Sequence, residues 1–194
     1  MAQILSAALS EFAEMGYEGA RLDAIAERAG ISKPTIYLYF DNKEALFTEV
    51  IENTITRTIR EASEAVELAD GTTEEALRLI LGLAYDHFID TELMSIMRLL
   101  IAEGGRFPEL LETYHKVAFT QGRALMQGVL RRGVARGDLR PSPAIETPEL
   151  VIAPAVFLSI YRMTFNRFAP IDKEEFLGAH LDIILNGIRA EEHA

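Results

Sequence analysis

At 194 residues the chain is long enough for one large or two small domains, and 49% apolar with 25% charged residues is ordinary for a soluble globular protein. The absence of cysteine excludes disulfides, thiolate metal sites and cysteine nucleophiles. His87, His115, His180 and His193 show no HExxH or comparable spacing, so no metal and no other cofactor is expected. No basic segment precedes an apolar run at the start, which makes a cytoplasmic location the default expectation. A net charge of −11 counts against strong non-specific binding to nucleic acid, and residues 1–50 alone hold four basic and eight acidic side chains.

In chain order, apolar residues at 4, 5, 8, 9, 12 and 15 form a stripe of helical period, and Gly16 is placed to end it. Residues 22–40, LDAIAERAGISKPTIYLYF, then read as a short helix over 22–29, a turn at Gly30, and a second short helix with an aromatic end. Gly30 tolerates the positive φ of a tight turn, Ser32 is positioned as a helix cap, and Pro34 falls in a first turn that has no hydrogen bond for it to break. Ile25, Ala29, Ile31 and Ile36 are spaced to meet between the two helices, with Ala26 small at their close approach. This is the pattern of a helix-turn-helix, whose second helix enters the DNA major groove.

Asp41 or Asn42 is placed to cap a fourth helix, whose apolar positions 46, 47, 50, 51, 55 and 59 run well beyond the small N-terminal unit. That helix is expected to link two domains. Asp70-Gly71 makes a turn, and Thr72 with Glu75 fits a capping box for a helix with its stripe at 77, 80, 81, 84, 85 and 88. A short apolar helix over 93–101 ends near Gly104-Gly105. Pro108 opens a long helix with Leu111, Tyr114, Val117, Ala118, Gln121, Leu125 and Val129 on one face, closed at Gly137. Residues 150–165 are apolar on nearly all sides, yet with Pro154 and Arg162 they fall short of the roughly 20 residues that span a bilayer. No membrane association is expected. A last amphipathic stripe runs from Phe176 to Ile188, and two such terminal helices per subunit suit a four-helix dimer interface about a two-fold axis.

Ile4, Ala8, Phe12 and Gly16-Tyr17, then Ile25-Ala26, Ala29-Gly30-Ile31-Ser32, Tyr37-x-Tyr39-Phe40 and Lys43-Glu44-x-Leu46, resemble the tetracycline-repressor (TetR) family of transcriptional regulators with the family's spacing unbroken. Residues 107–140 resemble its ligand domains more loosely. The resemblance implies an all-α homodimer with a three-helix DNA-binding domain (1–45), joined through helix 4 to a ligand-binding and dimerisation domain (46–194). The chain departs from the family at Ala20-Arg21, where Ser or Thr commonly precedes helix 2, and it opens almost directly on helix 1 where the family often carries a basic segment.

The expected function is that of a sequence-specific regulator, most simply a repressor released from a palindromic operator when a small apolar or aromatic ligand binds. Lys33 and Thr35 occupy the end of the recognition helix that reaches base edges, lysine suiting guanine O6 or N7 and threonine a thymine methyl or polar edge. A solvated lysine and a second-choice helix cap are the respective alternatives. Leu38 either meets a thymine methyl or packs on helix 1. Tyr37 and Tyr39 resemble the family's phosphate-contacting pair, with partial core packing as the alternative for Tyr37, and Lys43 resembles its phosphate clamp. Arg21 replaces the usual hydroxyl as a phosphate contact. Candidate ligand contacts are Tyr85, Phe88, Met97 and Arg98, then Tyr114, Phe119, Phe157 and Tyr161, although most are better read as ordinary core than as the lining of an adaptable apolar cavity. For Arg98 an interdomain or interface salt bridge with Asp or Glu is the plainer role. Asp86, His87 and Asp90 are better read as a solvated helix face than as metal ligands. An enzyme finds no support, because neither a nucleophile elbow nor a motif of paired carboxylates nor a metal-ligand set is present. An interaction module whose helix-turn-helix packs on protein is the other alternative, with the acidic charge in its favour.

Overall fold

The computed structural model describes residues 1–68, 71–89 and 91–189. Asp70, Asp90 and His193, which figure in the turn and metal readings above, lie outside them. Among the described residues every regular element is helical, apart from one isolated antiparallel bridge between Leu139 and Arg189. The all-α expectation holds, and no helix is long and apolar enough to cross a membrane. The chain divides into two compact units, residues 1–56 with 92–119, and residues 57–91 with 120–194. Helix α4 (Lys43–Leu68) contributes to both.

In the first unit α1 (Ala2–Gly19) packs on α2 (Leu22–Arg28) and on α6 (Glu92–Glu103), while α2 packs on α3 (Lys33–Tyr39). The stripe along α1 buries Ile4, Leu5, Ala8 and Phe12. Gly16 ends its regular helical geometry at φ 71° and ψ 171°, after which the last turn continues to Gly19. Gly30 takes φ 69° in the turn between α2 and α3. Ile25, Ala26 and Ile36 are fully buried there, as their spacing predicts. Ser32 occupies the N-cap position of α3, but its hydroxyl lies 2.7 Å from that of Thr35 and makes no cap hydrogen bond. Asn42 caps α4, its side-chain oxygen accepting from the Ala45 N–H at 2.8 Å. An aromatic nest of Phe12, Tyr17, Phe47 and Phe107, with ring centroids 5.0–5.8 Å apart, joins α1 to α4 and to the loop before α7 (Pro108–Tyr114).

The predicted single helix from Pro108 is broken into α7, a π-helical turn at His115–Phe119, and α8 (Thr120–Arg136). A π turn inserts a residue into the 3.6-residue repeat and rotates the apolar stripe by about 100°. Of the expected face, Val117 and Val129 are buried, Tyr114, Ala118 and Leu125 are half-buried, and Gln121 is exposed. Leu110 is buried where Leu111 was expected, and Leu111 is exposed.

In the second unit α5 (Thr73–Phe88) packs on α8, α10 (Glu149–Thr164) and α11 (Lys173–Ile188), and the four-residue α9 (Pro143–Glu146) lies against α8. Leu77, Leu81, Leu130, Val151, Leu181 and Leu185 are central to its core. The Thr72–Glu75 capping box forms as read, and Gly137 ends α8 at φ 82°. Gly133 sits where α8 meets Thr73 and Leu139, and an added Cβ would approach Thr73 Cγ2 to 2.6 Å. Thr73 cannot turn away freely, because its hydroxyl donates to Asp138 at 2.6 Å. Gly133→Ala is therefore expected to destabilise by about 1–3 kcal/mol through overpacking. Gly128→Ala, in the same helix with open space around it, should gain up to about 1 kcal/mol from helix propensity. Thermal melts of the two variants moving in the same direction would contradict this.

Candidate functional site

Helix α3 is seven residues long, and its burial follows from its period. Ile36 points inward, while Lys33, Tyr37, Leu38 and Tyr39 are exposed, Leu38 at 82%. Packing of Leu38 on α1 is thereby excluded, and Tyr37 is half exposed. Thr35 is half-buried, its hydroxyl paired with that of Ser32. Arg21 is exposed at the N-cap of α2. Lys33, Thr35, Tyr37, Leu38 and Tyr39 thus share one short helix, with Arg21 one element earlier.

Two groups of this row meet one carboxylate. Lys33 Nζ donates to Asp23 Oδ2 at 3.1 Å and Tyr37 Oη to Asp23 Oδ1 at 3.3 Å. The hydrogen bond from Lys33 holds the Asp23 carboxyl below the usual carboxylate range, helped by the nearby charges of Lys33 and Arg21 and the hydrogen bond from Tyr37. The sequence pattern offered no sign of Asp23, since it precedes its partners by 10 and 14 residues across a turn.

Lys43 is half-buried, and its ammonium donates to the carbonyls of Tyr17 at 2.7 Å and Glu18 at 2.8 Å, lying 4.8 Å from the centre of the Tyr17 ring. It therefore fastens the start of α4 to the end of α1, and the third donor of the ammonium is left for an anion. Tyr17 is a hub. Its N–H donates to Glu103 Oε1 at 2.9 Å, and burial pushes its phenol up to about 12, with Glu44 and Glu109 acting in the same direction. Beside it Arg106 pairs with Glu18 at 2.8 Å. Residues of α6 and the following loop are thus bound into the same unit as the helix-turn-helix.

The eight candidate ligand contacts fall equally into the two units. In the second unit Tyr85 is buried, and Phe176 stands 6.2 Å from it and 6.1 Å from Phe157, which in turn lies 5.9 Å from Tyr161. Phe88 packs against the same cluster. Tyr85 Oη lies 3.0 Å from His180 Nδ1, and both side chains are buried. Burial pushes the phenol up to about 12 and the imidazole below its usual value, so this pair is neutral. His180 Nε2 has no hydrogen-bond partner among the described residues. Neither Phe176 nor His180 was singled out from sequence, because both simply continue the stripe of α11. In the first unit Met97 and Tyr114 are half-buried, burial pushes the Tyr114 phenol up to about 12, and Phe119 stacks on His115 at 5.2 Å. Arg98 is exposed and makes no ion pair among the described residues. His87 meets Glu61 at 3.2 Å and Asp86 meets Lys173, which accounts for two members of the acidic and histidine group on α5.

Residues 4–50 match the family described as "Bacterial regulatory proteins, tetR family", and residues 68–178 match "Tetracyclin repressor-like, C-terminal domain". The HTH-type transcriptional regulator YdeS of Bacillus subtilis is 30% identical over 155 residues, 79% of this chain and 75% of that protein. The HTH-type transcriptional repressor NicS of Pseudomonas putida is 26% identical over 194 residues, covering 96% of this chain and 91% of its own. Among solved structures, the transcriptional regulator FadR of Bacillus subtilis in complex with stearoyl-CoA superposes with a TM-score of 0.81 at 21% identity, covering 97% of this chain and 99% of that one. This last likeness is one of fold.

Proposed function

Because the chain belongs to the tetR family of bacterial regulatory proteins, we propose that it is a cytoplasmic repressor that reads a palindromic operator as a homodimer and releases it when a small apolar or aromatic ligand binds. The observation that carries this reading is the exposed row Lys33, Tyr37, Leu38 and Tyr39 on a helix anchored by the buried Ile36. Solvent-facing tyrosines and a leucine on a seven-residue helix serve no core. On DNA they supply phosphate donors and a surface for thymine methyls. One such helix touches few bases, whereas a two-fold pair reaches half-sites about 34–36 Å apart. Lys33 and Thr35 are assigned to base edges, and Arg21, Tyr37, Tyr39 and Lys43 to phosphates.

The ligand is assigned to residues 46–194, with Tyr85, Phe88, Phe157 and Tyr161 as one group of contacts and Met97, Arg98, Tyr114 and Phe119 as another. NicS is named a repressor, and the FadR structure holds stearoyl-CoA, an acyl-chain ligand. Both support the reading. Release requires the ligand to favour the DNA-incompetent arrangement, for which a coupling of about 1–3 kcal/mol is typical. Helix α4 is the proposed carrier. No catalytic residue is assigned.

Selection of bound duplexes from a random pool is expected to recover a palindrome, and recovery of no preferred sequence would overturn the proposal. Lys43→Ala should weaken every duplex alike and lower the salt slope by about 1 per subunit. Loss of preference at a single base position would contradict its phosphate role.

A further inference from the structure

The carboxylate of Asp23 stands among the groups assigned to DNA, where a negative charge opposes binding to phosphate. It is not a stray surface acid. Both of its oxygens are engaged by the recognition helix, Oδ2 by Lys33 at 3.1 Å and Oδ1 by Tyr37 at 3.3 Å. Both donors come from successive turns of one face of α3, whereas Asp23 belongs to the first turn of α2. The side chain of Lys33 is 67% exposed and that of Asp23 is 31% exposed, so the pair lies at the surface. An exposed ion pair of this kind adds little to stability. Its effect on a polyanion is larger, because an ammonium paired with a carboxylate has no net charge with which to release counterions from DNA.

We propose that Asp23 is a specificity-determining residue, one that holds Lys33, braced beside Tyr37, toward base edges while withholding the lysine charge from the phosphate backbone. The inference rests on the assignment of α3 to DNA. A lysine ammonium has three N–H donors. One is taken by Asp23, and two remain for the O6 and N7 acceptors of a guanine in the major groove. Phosphate oxygens offer no fixed geometry that would reward this orientation, and they are repelled by the carboxylate behind it. The acidic balance of residues 1–50 works in the same direction.

Asp23→Asn retains the shape and an acceptor for Tyr37 while removing the charge, and unchanged circular dichroism checks the fold. On a scrambled duplex, affinity is expected to rise on the order of 10-fold, with a salt slope steeper by about 1 per subunit as Lys33 becomes free to neutralise phosphate. On the duplex selected by the wild-type protein, affinity should stay level or fall, so the ratio between the two shrinks. In a Lys33→Ala background the substitution should leave the scrambled-duplex affinity unchanged. An equal rise on both duplexes, or an undiminished rise without Lys33, would reduce Asp23 to a general charge effect and overturn the proposal. If the wild-type protein selects no sequence, the regulator reading fails, while the scrambled-duplex and Lys33→Ala arms still decide whether Asp23 restrains phosphate binding.

Discussion

Introducing Leu150→Glu together with Ile183→Glu should leave a folded monomer whose operator affinity is lower by about 100-fold or more. Leu150 is 61% and Ile183 71% exposed in the single chain. Leu150 and Phe157 lie seven residues apart, two turns along α10, and Phe176 and Ile183 stand in the same relation on α11. Phe157 stacks on Phe176 at 6.1 Å, so the two apolar rows adjoin. On the proposed dimer reading, the exposed residues of these two helices form the association surface. Isologous pairing would place like residues of two subunits about one axis, where glutamates repel each other and carry unpaired charge into an apolar contact. Joining two half-site readers raises overall affinity by about 10²–10⁴ without any new DNA contact, and separating them forfeits that gain. Both substitutions replace exposed side chains and leave the core of the second unit intact. Sedimentation and operator titration measure the two effects. A variant that stays dimeric, or a monomer that keeps full operator affinity, would refute the interface.

Gly16→Ala should be the most damaging small substitution in the first unit, costing about 2–5 kcal/mol. At φ 71° and ψ 171° the backbone occupies a region that is essentially glycine's alone, and holding another residue there costs about 1–3 kcal/mol. An added Cβ would also overlap the Glu103 carboxylate. If that side chain swings away, the Tyr17 N–H loses the acceptor it now has at 2.9 Å, a further cost of about 1–3 kcal/mol. Glu103→Gln keeps an oxygen acceptor in place and should cost under about 1 kcal/mol, which separates backbone strain from loss of charge. For a chain of this size the melting temperature of Gly16→Ala should fall by roughly 5–15 °C. DNA affinity should fall with it, because the carbonyls of Tyr17 and Glu18 hold Lys43 at the start of α4. A melt within about 2 °C of the wild type would show that the kink at Gly16 is dispensable.

Local rules carried the reading of the helix-turn-helix because each of its devices acts within a few residues. A glycine for positive φ, a proline in a first turn and small or branched apolar residues at helical spacing all act over less than two turns, and Gly30, Pro34, Ala26 and Ile36 behave as their types require. The same holds for the capping box at Thr72 and Glu75. Ser32 shows where such rules fail, since its hydroxyl has a neighbour, Thr35, that competes with the backbone N–H. The π turn at His115–Phe119 was invisible, because its residues, HKVAF, include no glycine or proline to mark a break and all suit an ordinary α-helix.

The sequence by itself determined the all-α class, the family resemblance and the position of the recognition helix. All of these depend on the period and residue type of contiguous segments. The tertiary structure alone decided which distant groups meet. It brought Asp23 to Lys33 and Tyr37, bound Glu103 to Tyr17 across 86 residues, and paired Tyr85 with His180 across 95. Such pairs come from chain closure and packing, and a hydrogen bond between remote side chains leaves no periodic trace in the chain that makes it.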